Sequence, residues 1–254
     1  MKSLYLLDVL NRLESSAPVR EFLARVSAGR FPVDCGGLEG AYTAFLAAFC
    51  RKRLDLPVLA IVPTDLEAEA LARDLGLAGV EAESFPWWGT AAYRPVSPRA
   101  PVFGERSAAL ARALGRADGA SEGSSGKAVV LVASQRAALT PVPPPEYFGN
   151  LLLSLERGQS FDPEAIVERL SSYGYLRVPR VSLPGEFALR GEVLDLYMPG
   201  DEEAWRVVFE FDAIEEIRRF DPADQSSRAS REERVVLRPV KEVVWDEEIG
   251  RAHV

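Results

Sequence analysis

The stretch Gly185 to Ser227 constrains this chain more than any other. Trp205, Val207, Phe209 and Phe211 stand two apart, with Arg206, Val208 and Glu210 between them. A period of two belongs to a strand with one buried face. The four large apolar side chains are therefore expected on one sheet face and Arg206 on the other. Phe187 and Leu189 alternate with small or polar neighbours, and Val193 to Tyr197 is a short apolar run. Met198-Pro199-Gly200-Asp201 supplies turn chemistry between strands. Ile214, Ile217 and Phe220 are read as continuing the apolar side up to the breaker Asp221-Pro222. The expectation is a twisted antiparallel sheet with one buried face and one face that displays charge.

The first half of the chain reads differently. Leu4, Leu7 and Leu10, then Val19, Phe22, Leu23 and Val26, fall at helical spacing around the break Ser15-Ser16-Ala17-Pro18, which predicts two amphipathic helices. Phe31-Pro32-Val33 is a short strand candidate. It leads into Cys35-Gly36-Gly37-Leu38-Glu39-Gly40 and an alanine-rich helix from Ala41 to Arg53. Val58 to Pro63 is a continuous apolar strand, and Thr64 or Asp65 caps the next helix, through Leu75. Strand, glycine turn, helix and strand in this order imply a doubly wound, parallel α/β sheet.

Further along, Gly104-Glu105-Arg106 opens a helix through Leu114, with Leu110 and Leu114 expected inward. Asp118 to Lys127 is Gly/Ser-rich and reads as a flexible loop. Ala128 to Ala133 is a second buried strand, with Ser134 capping a short helix. Pro141, Pro143, Pro144 and Pro145 mark a domain boundary. Leu151 to Leu155 is a strand candidate, and Asp162-Pro163-Glu164 caps a helix through Leu170. Val235 to Val240 is read as a last strand that returns the chain to the first domain.

The glycine turn is the natural place to seek a phosphate cradle. A P-loop needs two glycines around the phosphates, then a lysine on the β/γ oxygens and a hydroxyl on Mg²⁺. With Gly40 in the place of the second glycine, Cys35 takes that of the first. Ala41 then stands where the lysine belongs and Tyr42 where Ser or Thr belongs. The reading is a tight strand-to-helix turn that has lost nucleotide.

Ser84 to Pro98 interleaves Trp87, Trp88 and Tyr93 with prolines. It is either a stacking platform for bases or a rigid crossover packed on the sheet. Because only Arg94 and Arg99 bring charge, the crossover is favoured. The net charge of −8 argues against unaided tight binding to a phosphate backbone. Cys35 and Cys50 have no metal-ligand spacing and read as reduced thiols of a cytoplasmic protein. No run reaches the ~18 apolar residues of a membrane span, and the N-terminus lacks a secretory h-region. Glu215 and Glu216 are adjacent on a strand, so they face opposite ways and read as a solvated edge.

The terminal string Ile249-Gly250-Arg251-Ala252-His253-Val254 matches one reading frame of a common sequencing-adapter DNA. On that reading the natural sequence runs only to about Glu248. His253 is the sole histidine, so no histidine remains for acid–base catalysis or metal binding.

Several stretches together resemble one family. They are Phe85-Pro86-x-Trp88 with Tyr93 and Ser97-Pro98, Glu105-Arg106, Tyr173-Gly174-Tyr175, Gly185-Glu186-Phe187-Ala188-x-Arg190-Gly191, Leu194-Asp195-Leu196 and Arg206. Ile217-Arg218, Phe220-Asp221-Pro222, Gln225-Ser226, Pro239 and Glu242 complete the series. The chain is similar to the N-terminal, UvrB-homologous module of bacterial transcription-repair coupling factors (Mfd). The resemblance implies a helicase-like parallel-sheet domain over 1–142 without a functional P-loop, and an inserted α+β domain over 143–238. It also implies the start of a return segment over 239–248, before the adapter-like 249–254.

The functional implications come with the family. The inserted domain would bind UvrA, and the family's contacting arginines fall on Arg190 and Arg206, whose planar forks suit a partner carboxylate. The chain departs from the family at Val208, where an acidic residue is usual, and at Glu210, where Phe is usual. The fragment itself would be non-catalytic and without cofactor. ATP, Mg²⁺, RNA polymerase and double-stranded DNA would be handled by a motor outside this chain. Two other classes remain: an ATPase or unwinding domain, opposed by Ala41 at the lysine position, and a degenerate helicase-like domain that binds nucleic acid through Trp87 to Tyr93.

Overall fold

The computed structural model describes residues 4–90, 100–115 and 130–244. Tyr93, Arg94, Ser97, Pro98, Arg99, the 118–127 loop and the 249–254 string lie outside the described residues. The protein is mixed α/β and divides into two compact units, Met1–Trp87 with Lys127–Thr140, and Trp88–Gly126 with Pro141–Val254. Among the described residues, no helix is long and apolar enough to cross a membrane.

The first unit holds helices α1 (Leu4–Glu14), α2 (Ala17–Ser27) and α3 (Tyr42–Leu54), strand β1 (Val58–Val62), helix α4 (Asp65–Leu77) and strand β2 (Ala82–Phe85). After α5 (Ala100–Ala113), which belongs to the second unit, it is completed by β3 (Val130–Ser134) and the short helix α6 (Gln135–Ala138). The strands form a parallel sheet in the order β1-β3-β2. Local signals set the helix starts. Thr64 accepts from the Glu67 amide and the Glu67 carboxylate accepts from the Thr64 amide, a reciprocal capping box. Ser134 Oγ accepts from the Ala137 amide at the start of α6.

Val58, Ala60 and Val62 pack with Ala44, Phe49, Leu71 and Leu75 of α3 and α4 in one core cluster. The intervening Leu59 and Ile61 are 58% and 53% exposed. β1 is an edge strand, and its apolar run is not buried on both sides as expected. A second difference lies at Phe31-Pro32-Val33, which forms no strand. The glycine turn therefore enters α3 from irregular chain rather than from a sheet.

The second unit comprises α5, α7 (Pro145–Asn150), β4 (Leu153–Glu156), α8 (Pro163–Ser172), β5 (Leu176–Arg177), β6 (Glu186–Arg190), β7 (Val193–Leu196), β8 (Ala204–Glu210), β9 (Ala213–Phe220), β10 (Ser227–Glu232) and β11 (Arg234–Leu237). Six strands form a sheet in the order β10-β9-β8-β7-β6-β5, antiparallel except for the β5–β6 pair. β4 and β11 pair with each other, so the segment between them leaves beside the point where it entered. β11 thus does not return the chain to the first unit. Its Arg234 to Leu237 register along Glu156 to Leu153 closes the second.

One face of the large sheet packs against α8 and the β4–β11 pair. Phe187, Leu194, Leu196, Trp205, Val207, Phe209, Ile214 and Ile217 share a core with Ile166, Leu170, Leu155 and Val235. Asp162 caps α8 by accepting from the Glu164 amide. The expected alternation fails at two positions. Phe211 is not in the core but is 83% exposed, because Glu210 pairs with Ala213 and the chain turns at Phe211-Asp212. Phe220 is buried, but on the opposite face, with Val181, Ala188 and Ala204. The cause is a bulge: Val208 pairs with Glu216 and Phe209 with Ile214, leaving Glu215 unmatched. The extra residue brings Ile217 to the core and sends Phe220, three residues on, to the other side.

Residues 1–142 do not form one unit, since α5 belongs to the second. Its inward side is nearly flat at Gly104, where any Cβ would stand 2.0 Å from the Cβ of Pro199. Arg106 is fully buried and ion-pairs with Glu242, while Ser107 Oγ donates to the Pro239 carbonyl at 2.6 Å. Leu114, expected inward, lies beyond the helix end and is exposed. The small and paired residues, not the leucines, carry the packing.

Candidate functional site

The sheet face opposite the core is built by register. Ala188, Asp195, Arg206, Arg218 and Arg231 stand side by side across β6 to β10. The next row runs Arg190, Val193, Val208 and Glu216. Three arginines directly opposite one another would repel, so the carboxylates among them decide whether this face can exist.

Asp195 is the first of these carboxylates and is fully buried. Arg206 donates to it through Nε (2.7 Å to Oδ1) and Nη2 (3.0 Å to Oδ2), and Arg190 donates through Nη2 (2.6 Å to Oδ2). The bidentate pair with Arg206 supplies the geometry that makes a buried charge tolerable. Arg206 also donates from Nη1 to Ser227 Oγ at 3.1 Å, and its guanidinium lies 4.6 Å from the Phe220 ring centroid. The hydrogen bond to Asp195 raises its pKa above the ordinary arginine value, against an opposing desolvation. Arg206 is thus largely spent on its own chain. Arg190 is not: its side chain is 49% exposed and gives Asp195 a single nitrogen.

Glu216 is the second carboxylate. It ion-pairs with both Arg218 and Arg231 at 2.5 Å, and the two cations, Arg218 first, hold it below the usual carboxylate range. β9 lies between β8 and β10, so Glu216 is an interior bridge and not a solvated edge. The face therefore presents paired charge with Val208 half-buried within it and Glu210 exposed at the strand end. Arg190, Arg206, Val208 and Glu210 all lie on this one face. Sequence reasoning passed over Asp195 as an organising group, although Leu194-Asp195-Leu196 places an acid inside an apolar run, and it had no signal for the cross-strand position of Glu216.

The residues of the glycine turn, Cys35 to Tyr42, lie in the first unit. Cys35 is exposed, Gly40 has a φ of +57°, Ala41 makes no side-chain cap, and Tyr42 begins α3 with its ring edge-on to Phe45. A cavity of ≈ 440 Å³ adjoins Cys35 and Tyr42, walled by Leu13, Phe22 and Leu46. Its basic residue, Arg25, is paired to Glu21 at 2.7 Å. The aromatic stretch is also engaged. The Trp87 ring takes the Arg136 guanidinium at 5.2 Å, and Trp88 donates from Nε1 to Glu242 at 3.1 Å beneath the Arg106 guanidinium. Each ring thus carries a cation against it and is partly buried.

Residues 153–242 match the model of the UvrB interaction domain. The second unit carries a UvrB interaction domain. The match begins at β4 and ends at Glu242, enclosing the paired stem β4–β11 and the whole charged face. The chain is 35% identical over 220 residues to the transcription-repair-coupling factor of Mycobacterium tuberculosis, covering 86% of this chain and 17% of that protein. It is 30% identical over 245 residues to that of Myxococcus xanthus, covering 93% and 20%. Over 122 residues it is 35% identical to UvrABC system protein B of Kosmotoga olearia, covering 48% and 18%. The chain thus spans about a fifth of the length of the coupling factors it matches. Each of these relatives carries a name from transcription-repair coupling or from the UvrABC system.

Proposed function

We propose that this chain is the UvrA-recruiting module of a cytoplasmic transcription-repair coupling factor, and that the face bearing Arg190, Arg206, Val208 and Glu210 is where UvrA docks. The single observation that carries this reading is the Asp195-centred pair of arginines, which fixes cationic forks on a sheet face inside the UvrB interaction domain. A rigid fork loses little conformational freedom on binding. Arg190, with nitrogens to spare, is the stronger contact, and Arg206 aligns it through their shared carboxylate.

The module does no chemistry in this proposal. Ala41 and Tyr42 occupy the positions where a P-loop has its lysine and hydroxyl, so the helicase-like first unit is a scaffold that has given up nucleotide. ATP and Mg²⁺, DNA translocation and displacement of stalled RNA polymerase belong to other parts of the longer protein. The test is calorimetric titration of UvrA with the whole chain, beside Arg190→Ala. Arg206→Glu is the poorer variant, because it also strips Asp195 of its bidentate partner. Binding that falls at least about tenfold in Arg190→Ala, with folding intact, supports the proposal; no binding by the natural chain refutes it.

A further inference from the structure

The hairpin between β8 and β9 turns on two residues, Phe211 and Asp212, and Phe211 sits at a φ of +59°. A tight hairpin turn asks for glycine or asparagine at such a position, and a bulky side chain there is an outlier. Nothing local compensates, since the Phe211 ring is 83% exposed rather than packed. The rest of the structure holds the turn in place. The Phe161 amide donates to the Asp212 carbonyl at 2.7 Å and the Gly158 amide to the Ile214 carbonyl at 2.7 Å. The Ile214 amide donates to Gln159 at 2.9 Å, and Ser160 Oγ donates to Asp212 Oδ2 at 2.7 Å. Four hydrogen bonds from the segment 158–161 thus clamp a strained turn whose ring points into solvent. Strain that persists because its surroundings over-determine it is a mark of function.

The surroundings of the ring say what it fits. Glu210 and Asp212 flank it and are exposed, as is Glu215 in the bulge. Glu192, in the turn between β6 and β7, is exposed at the same end of the sheet, where its carbonyl accepts from the Phe209 amide. An aromatic ring flanked in the chain by exposed carboxylates suits an apolar pocket with a basic rim. It suits neither an anionic membrane surface nor a phosphate backbone, both of which the carboxylates repel. Arg190, Val193 and Val208 adjoin this end of the sheet, so the tip is continuous with the charged face.

We propose that Phe211 is a pre-organised aromatic anchor that inserts into a basic-rimmed apolar pocket of the same protein partner that meets Arg190. This rests on the reading of that face as the UvrA-binding surface. A ring already held in its binding geometry loses little freedom on docking, which is how a single aromatic dominates an interface.

The test is UvrA titration of the whole chain with Phe211→Asn and, separately, Arg190→Ala. Asparagine tolerates the positive φ, so Phe211→Asn keeps or raises the urea midpoint and reports on the ring alone. The expected result is a loss of about tenfold or more in UvrA affinity with no loss of stability. Unchanged affinity in Phe211→Asn, with a loss in Arg190→Ala, overturns the anchor while leaving the face as the binding surface. No UvrA binding by the natural chain overturns both.

Discussion

Each unit leaves part of a sheet uncovered, and the two exposed surfaces are of different kinds. On β1 the residues turned away from the helices are Leu59 and Ile61, plain apolar side chains more than half exposed. On β6 to β10 the corresponding face is a lattice of arginines and carboxylates, with a buried acid at its centre. The first surface carries no ion pair among the described residues. The second is built, in that each charge is positioned by an opposite charge beside it, on its own strand for Arg218 and across strands for the rest. The difference bears on recognition: specificity needs groups held in place, and on the antiparallel sheet they are held.

If that contrast is right, Arg206→Ala has the largest effect on folding. It leaves the fully buried Asp195 with Arg190 alone, and a cost of about 3 kcal/mol is expected in urea unfolding followed through the second unit. A cost near zero would mean that Asp195 is better solvated than its burial implies. The acid limb sharpens the same point at Glu216. Its folded pKa is lowered from 4.5, so it contributes stability that is complete above that value. That contribution is lost as pH falls through the lower folded value. Glu216→Gln is expected to flatten the pH dependence of the urea midpoint below about pH 4.5; an unchanged slope would remove Glu216 from the lattice.

The first unit is expected to respond to local signals instead. Thr64→Ala breaks the reciprocal cap of α4 and should cost about 1 kcal/mol in that unit. Ile61→Thr keeps the β-branched shape on an exposed site and should change stability by no more than about 0.5 kcal/mol. A larger loss would show that this surface is covered in solution.

Much of this was legible from local pattern. The alternation Trp205-Val207-Phe209 placed the core face of β8, and Thr64, Ser134 and Asp162 marked helix starts that the structure keeps. What was not legible came from distance or from a broken rule. Phe211 extended the alternation by one residue too many, because the turn at 211–212 contains neither glycine nor proline. Phe220 changed face because a bulge at Glu215 leaves no trace in composition. The helix α5 joined the second unit through Gly104, Arg106 and Ser107, whose partners lie roughly a hundred residues away or more. The charged face was half legible: Arg190 and Arg206 stand out in the sequence, but the group that unites them, Asp195, acts through cross-strand register.

The most direct measurement is the affinity of the whole chain for UvrA beside that of Arg190→Ala, by calorimetry at moderate salt, with urea midpoints for both. Arg190 is half-exposed and its removal leaves Asp195 its bidentate partner, so folding and recognition separate at this position. The expected result is binding by the natural chain and a loss of about tenfold or more in Arg190→Ala, with similar urea midpoints. Equal affinity in the two proteins would contradict the claim that the arginine face of the second unit recruits UvrA.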